Sequence, residues 1–206
     1  MAEKNSLMDK KKQKRRKRII QAATALFQHR GYADTTIGDI ADHAEVGVGT
    51  IYNYFSSKNE ILLSLVADIC IKKKPDEIIY ENDPVETLYT YIYGYFDEFL
   101  IFDKDIWRGW FAALFKEPNL FERAYALDMK IVGELVGMCE QMQALDMISN
   151  KVPAQEIATT VYALFISWMM RFIMLPDMDL QTTKNEFEGQ VTLVFGGFKN
   201  ENETPV

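Results

Sequence analysis

Apolar residues recur at helical spacing along almost the whole chain, and no stretch alternates apolar with polar residues between hairpin turns. Ile19, Ala22, Ala23, Leu26 and Phe27 predict a first helix, which Gly31 should end. A short helix is expected from Ile37, with Thr36 as N-cap and Asp39 as its box partner; Ile37, Ile40, Ala41 and Ala44 form its buried face. A third short helix is expected from Val48 to Tyr54. The box Ser57-Lys58-Asn59-Glu60 then opens a longer helix to about Lys74, stopped by Pro75. Residues 75–83 read as a connection.

Asp83 and Pro84 supply an N-cap and an N1 proline for the next helix, which carries Leu88, Tyr89, Ile92, Tyr93, Phe96, Phe99 and Leu100. Further helices are expected at Ile106 to Phe115, at about Leu120 to Leu145, between Pro153 and Pro176, and from about Thr183 to Phe198. The expected fold is all-α, with about nine helices. A three-helix unit with helix-turn-helix character at the N-terminus precedes a larger helical C-terminal region. The division is 1–18 a basic arm, 19–57 the helix-turn-helix domain, and 58–206 the remainder, opened by a connecting helix at 58–74.

Charge changes the picture. The net charge is −7. Residues 1–60 hold eleven Lys and Arg against seven Asp and Glu, whereas the rest hold twelve against twenty-three. Eight of the nine residues from Lys10 to Arg18 are basic. A basic head on an acidic body fits a polyanion that meets the head alone. A membrane patch and a plain solvated tail are the rival readings of that run, and a minor-groove or phosphate-binding arm is favoured beside the motif described below.

Other chemistry is sparse. Cys70 and Cys139 lack metal or redox spacing and read as buried thiols of a reducing cytoplasm. His29 and His43 have no partner pattern. No nucleophile–base pairing, metal-spaced cluster or phosphate-cradling glycine loop is visible, so no catalytic residue, metal or cofactor is expected. Nor does the charged N-terminus read as a signal peptide. The stretch from Ile157 to Leu175 is apolar enough to be weighed as a membrane span. It holds Thr159, Thr160, Ser167 and Arg171 without flanking basic clusters, and is read instead as a buried helix at a subunit interface. A cytoplasmic protein with no membrane partner is therefore expected.

Helices of about eight residues cannot hold their shape alone, so the first three must pack together. The link Glu45-Val46-Gly47 is short enough to force a sharp crossing, as in a helix-turn-helix whose second helix enters the major groove. Ile51 and Phe55 would face inward. Val48, Thr50, Tyr52, Asn53 and Tyr54 are left outside, and Gly49 permits close approach. Thr50 and Asn53 can hydrogen-bond base edges, and Val48 can meet a thymine methyl. Tyr52 and Tyr54 offer hydroxyls to phosphates.

The run from Thr35, TTIGDIADHAEVGVGTIYNYFSSKNEIL, resembles the DNA-binding signature of the tetracycline-repressor (TetR) family, with Arg18-Ile19 through Phe27 and Gly31-Tyr32 extending the likeness upstream. The family usually has Gly at position 45 and Ser at position 47. Glu45 therefore adds a negative charge near the DNA face, and Gly47 is left as a weaker N-cap. The resemblance implies phosphate contacts from Thr36, Tyr52, Tyr54 and Lys58. For the remainder it implies a ligand pocket and a homodimer built on the last two helices.

Within that frame, Tyr89, Tyr93, Phe96, Trp107, Trp110, Phe111, Phe115, Tyr125, Met129, Phe165 and Met169 are candidates to line a pocket for an apolar or aromatic ligand. Val161, Phe165, Trp168, Phe172, Phe187, Val191, Val194 and Phe195 are candidates for the dimer interface. Arg108, Arg123 and Arg171 are read as surface ion pairs, with an acidic ligand head group as the alternative. The leading expectation is a homodimeric repressor that leaves palindromic double-stranded DNA when a hydrophobic small molecule binds. The alternatives are a DNA-binding dimer without an effector, and an enzyme or lipid carrier.

Overall fold

A computed structural model describes residues 2–72, 80, 83–100 and 102–196. The expectations that fall on the side chains of Cys70 and Phe96, on Lys74 and on Phe198 lie outside the described residues. Among those described there are nine helices and no strand: α1 (Ala2–Arg30), α2 (Ile37–His43), α3 (Val48–Tyr52), α4 (Lys58–Lys72), α5 (Pro84–Phe99), α6 (Lys104–Lys116), α7 (Pro118–Ala144), α8 (Ala154–Met174) and α9 (Leu180–Gly196).

The chain divides into two packing units. One holds residues 1–69 and 100–124, the other residues 70–99 and 125–206. Residues 100–124 thus group with the N-terminal helices, although the sequence suggests a single division near residue 58.

In the first unit, α1 packs on α2 and α2 on α3. Ile19, Ala23 and Phe27 of α1, Ile40 and Ala41 of α2, Ile51 of α3, and Ile61 and Leu62 of α4 are buried. Gly31 ends α1 with φ +83°, a left-handed conformation that its missing side chain permits, and its N–H donates to the Phe27 carbonyl at 3.0 Å. Upstream, α1 corrects the expected arm: the basic run is helix, continuous with the residues that pack. Lys, Arg and Gln are good helix formers, and no Gly or Pro interrupts them. From α6 the first unit receives the buried Trp107 and Trp110. There Gly109 lets the helix approach Tyr32, whose Cδ1 would stand 3.1 Å from an added Cβ.

In the second unit, α9 packs on both α8 and α5. Asp83 caps α5, its Oδ1 accepting from the Val85 N–H at 2.8 Å, as the Asp-Pro pair predicts. The rings of Tyr93, Phe165, Trp168 and Phe187 meet at centroid distances of 5.4 to 6.5 Å. The Trp168 indole N–H donates to the Thr183 carbonyl, which satisfies its polar edge inside the core. Among the described residues α8 is the one helix long and apolar enough to cross a membrane. In this fold Ala158, Val161, Phe165, Trp168 and Phe172 turn that apolar stripe into the chain's own core. Cys139 is a buried free thiol.

Candidate nucleic-acid interface

The reading element is held by local chemistry at both ends of its supporting helix. Thr36 caps α2: its Oγ1 accepts from the Asp39 N–H at 3.1 Å, and Asp39 Oδ2 accepts from the Thr36 N–H at 2.8 Å. The Thr36 hydroxyl also donates to Asp39 Oδ2 at 2.6 Å. These bonds, the hydroxyl first, hold the Asp39 carboxyl below its usual range. At the other end the Val46 N–H reaches back to the Ala41 carbonyl at 2.9 Å and the Glu45 N–H to Asp42 at 3.1 Å. This double closure needs a left-handed residue, and Glu45 fills it with φ 50°. Glycine is the usual occupant of that conformation. Arg18 of α1 steadies the turn by donating to the Glu45 carbonyl at 3.0 Å.

Gly47 then caps α3 without a side-chain bond. Ile51 and Phe55 are buried as the pattern requires, and the Arg16 guanidinium lies 5.4 Å from the Phe55 ring centre. On the outer side Val48 is 44% and Tyr52 56% exposed, Gly49 and Asn53 are exposed, and Thr50 and Tyr54 are half-buried. A Cβ on Gly49 would meet nothing within 4 Å, so the face is open to close approach. The helix is shorter than expected: Asn53 is its C-cap and Tyr54 lies in the following turn.

Two of the residues implied to bind phosphate are otherwise engaged. The Thr36 hydroxyl proton is held by Asp39, whose carboxylate occupies the start of α2. Lys58 points its ammonium into the α1–α2 loop and donates to the carbonyls of Tyr32 (2.5 Å), Thr35 (2.8 Å) and Ala33 (3.4 Å). Its nitrogen also stands 4.2 Å from the Tyr32 ring centre. Burial lowers its pKa. With all three N–H donors directed at backbone, Lys58 is a strut for the loop ahead of α2. The sequence gives no sign of what surrounds this strut. The Tyr32 hydroxyl donates to Asn59 Oδ1, Asn59 Nδ2 to Glu117 Oε1, and Arg123 pairs with Glu60. The Ser57 hydroxyl accepts from the Glu60 N–H at 3.2 Å, as its box predicts.

The candidate ligand and dimer residues are distributed differently from expectation. Trp107, Trp110, Phe111 and Phe115 belong to the first unit; Tyr89, Tyr93, Tyr125, Met129, Phe165 and Met169 belong to the second. Phe115 is 84% exposed and lines no enclosed space. Tyr93 and Phe165 sit in the aromatic cluster, where the Tyr93 hydroxyl donates to the Lys184 carbonyl at 2.8 Å. Seven residues assigned to a dimer interface, Val161, Phe165, Trp168, Phe172, Phe187, Val191 and Phe195, are buried within the single chain, and Val194 is half-buried. Within the chain α8, α9 and α5 cover one another's apolar stripes, so these side chains are already withdrawn from water. Arg108, Arg123 and Arg171 each pair with an acid, namely Asp105, Glu60 and Glu186.

A capped short helix, a tight left-handed turn and a second helix with a buried inner and open outer face define a helix-turn-helix domain of the DNA-binding kind. Comparison with known proteins agrees. The family model described as bacterial regulatory proteins, tetR family, matches residues 19–65. Through this domain the chain is similar to the tetR family of bacterial regulatory proteins. It is 42% identical over 86 residues to the transcriptional regulator HbdR of Aromatoleum sp. (strain CIB), covering 40% of this chain and 38% of that protein. It is 40% identical over 63 residues to the repressor KstR of Rhodococcus jostii, covering 31% and 30%. The chain thus spans less than two fifths of the length of these curated relatives.

Likeness of fold extends further. The FadR repressor of Thermus thermophilus, solved with lauroyl-CoA, superposes with a TM-score of 0.68 at 22% identity, covering 93% of this chain and 99% of that one. Bacillus subtilis FadR, solved with stearoyl-CoA, gives 0.62 at 19%, covering 84% and 96%. The fold is therefore the TetR-like one, with an N-terminal helix-turn-helix and a helical C-terminal region.

Proposed function

We propose that the protein is a homodimeric transcriptional repressor that leaves a palindromic operator when a hydrophobic small molecule binds. The open outer face of α3 carries this reading: Val48, Gly49, Tyr52 and Asn53 are exposed and Thr50 is half-buried beside them, on a helix that Ile51 and Phe55 anchor. Val48, Gly49, Thr50 and Asn53 meet base edges, and the Tyr52 and Tyr54 hydroxyls meet phosphates. Lys58 and Thr36 fix the geometry of α2. Residues 58–206 dimerise and bind the effector, which sets the two reading heads about 34 Å apart or away from that spacing. Release needs the effector to favour the non-DNA state by a few kcal/mol. A fatty-acyl thioester is the effector class to try first, since both FadR neighbours were solved with one. Acting on promoters, the protein would work in the cytoplasm.

The test is retardation and footprinting of DNA from the protein's own promoter region at low salt. A two-fold symmetric footprint, released by acyl-CoA, is expected; no retardation sinks the reading. The filled aromatic cluster around Phe165 favours a second reading, a DNA-binding dimer without a small-molecule effector. A thermal-shift series with acyl-CoA separates the two, because a bound effector raises the melting temperature.

A further inference from the structure

The basic run is a helical extension of α1 upstream of the matched domain, and it carries charge in a pattern that the reading head does not use. At 100° per residue, Lys10, Lys11, Lys14, Arg15, Lys17 and Arg18 fall within an arc of about 160°, opposite the face that Ile19, Ala23 and Phe27 bury. All six are exposed. Lys11, Lys14, Arg15, Lys17 and Arg18, with Gln21, border a solvent-open groove of about 580 Å³ between their side chains.

We infer that this face of α1 is a second, sequence-independent DNA-binding surface, which grips phosphates flanking the half-site that α3 reads. The inference rests on the DNA-binding reading above and adds to it a partner surface outside the helix-turn-helix.

Three observations favour duplex DNA. The extension grows from the reading head itself, because Arg18 holds the Glu45 carbonyl in the turn and Arg16 lies over Phe55. From Lys10 to Arg18 the basic face runs about 12 Å, enough to lie along about two to three neighbouring phosphates of one strand. Like charges stand four apart at Lys10 and Lys14, Lys11 and Arg15, and Lys14 and Arg18, a repulsion that a polyanion relieves. A membrane surface fits less well. Between residues 8 and 18 Met8 is the one apolar side chain, so the helix has no stripe to bury among acyl chains.

The experiment compares the full-length protein with the triple variant Lys11→Gln, Lys14→Gln, Arg15→Gln. A charge-matched control, Lys116→Gln, Lys130→Gln, Lys151→Gln, alters exposed lysines elsewhere. Glutamine keeps the helix, which circular dichroism confirms. Binding to the operator fragment and to a random duplex is followed from 50 to 300 mM salt. The α1 variant is expected to lose two to three from the slope of log K against log salt, to bind both duplexes about tenfold more weakly at 150 mM, and to lose footprint at the flanks only. The control should match the wild type.

Equal slopes for wild type and α1 variant overturn the inference while leaving the operator reading intact. So does a loss confined to binding of phosphatidylglycerol vesicles. Failure of the wild type to bind any duplex overturns both.

Discussion

The Lys58 ammonium stands 4.2 Å from the centre of the Tyr32 ring and donates to the carbonyl oxygen of that same residue. One side chain thereby ties the start of α4 to the loop that leads into α2. Replacing Lys58 with Met keeps much of the stem but leaves the carbonyls of Tyr32 and Thr35 without their donor. A loss of about 2 kcal/mol in stability is expected from urea denaturation. If Lys58 acts as a strut, the salt dependence of DNA binding should keep its slope even as affinity falls. A slope reduced by about one would return Lys58 to the phosphate contacts.

Glu45 holds φ 50° where the helix closure calls for a residue without a Cβ. Glu45→Gly should raise stability by about 1 kcal/mol and tighten DNA binding by removing a negative charge from the head. Glu45→Gln separates the two effects, since it should tighten binding without raising the melting temperature. A Gly variant less stable than the parent would show that the ion pair between Arg18 Nη1 and Glu45 Oε2, 3.8 Å apart, outweighs the backbone strain.

How far the sequence reveals this site depends on the range of the interactions. The Thr36–Asp39 box, the Gly31 stop and the inward Ile51 and Phe55 were all legible, because each is set by residues within one or two helical turns. The engagement of Lys58 was not, since its acceptors are backbone carbonyls 23 to 26 positions away and carry no side-chain signature. The apolar stripe of α8 reads from the sequence as a helix buried at a subunit interface, and within the chain it is covered by α9. Periodicity could not say whether a partner chain or α9 of the same chain covers it. The helical state of the basic run is not legible in the sequence for another reason. Charge repulsion and helix propensity compete there, and only the anchoring of Ile19 to Phe27 decides for helix.

Tyr52 is 56% exposed beside the open face of α3. Under the proposed function its hydroxyl meets phosphate, which carries no sequence information. Tyr52→Phe should weaken operator and mismatched duplex by the same factor, about fivefold for each hydroxyl lost. Selection of bound sequences from a random pool is the measurement. A changed consensus would place Tyr52 among the base-reading residues.

Asp128 of α7 is half-buried. Burial pushes its carboxyl from 3.8 up to about 6, against a smaller opposing effect of a hydrogen bond from Tyr162. Because the folded value exceeds the unfolded one, the folded state binds the proton more tightly. The resulting stability is full below pH 4, drains away as pH rises from about 4 to about 6, and is flat above. Two units correspond to about 3 kcal/mol. Asp128→Asn should therefore match the wild type near pH 4 and exceed its stability by about 2 kcal/mol at pH 7.5. Equal denaturation midpoints at both pH values would mean that the carboxylate is solvated.

Leu193 on α9 is 81% exposed, while its neighbour Val191 is buried. Since the inner stripes of α8 and α9 are used within the chain, a homodimer built on these helices must use their outer faces, where Leu193 stands near the exposed Gly189 and Thr192. In a two-fold interface each such residue counts twice. Burying a leucine contributes about 2 kcal/mol, so Leu193→Glu should weaken the dimer by about a thousandfold. The monomer should keep its melting temperature, because the side chain supports nothing inside its own chain. Val191→Ala should do the reverse, lowering stability by 1 kcal/mol or more with little effect on association at concentrations where the protein is folded. Sedimentation velocity across a concentration series reads both. A Leu193→Glu protein that sediments like the wild type would move the interface off the outer face of α9.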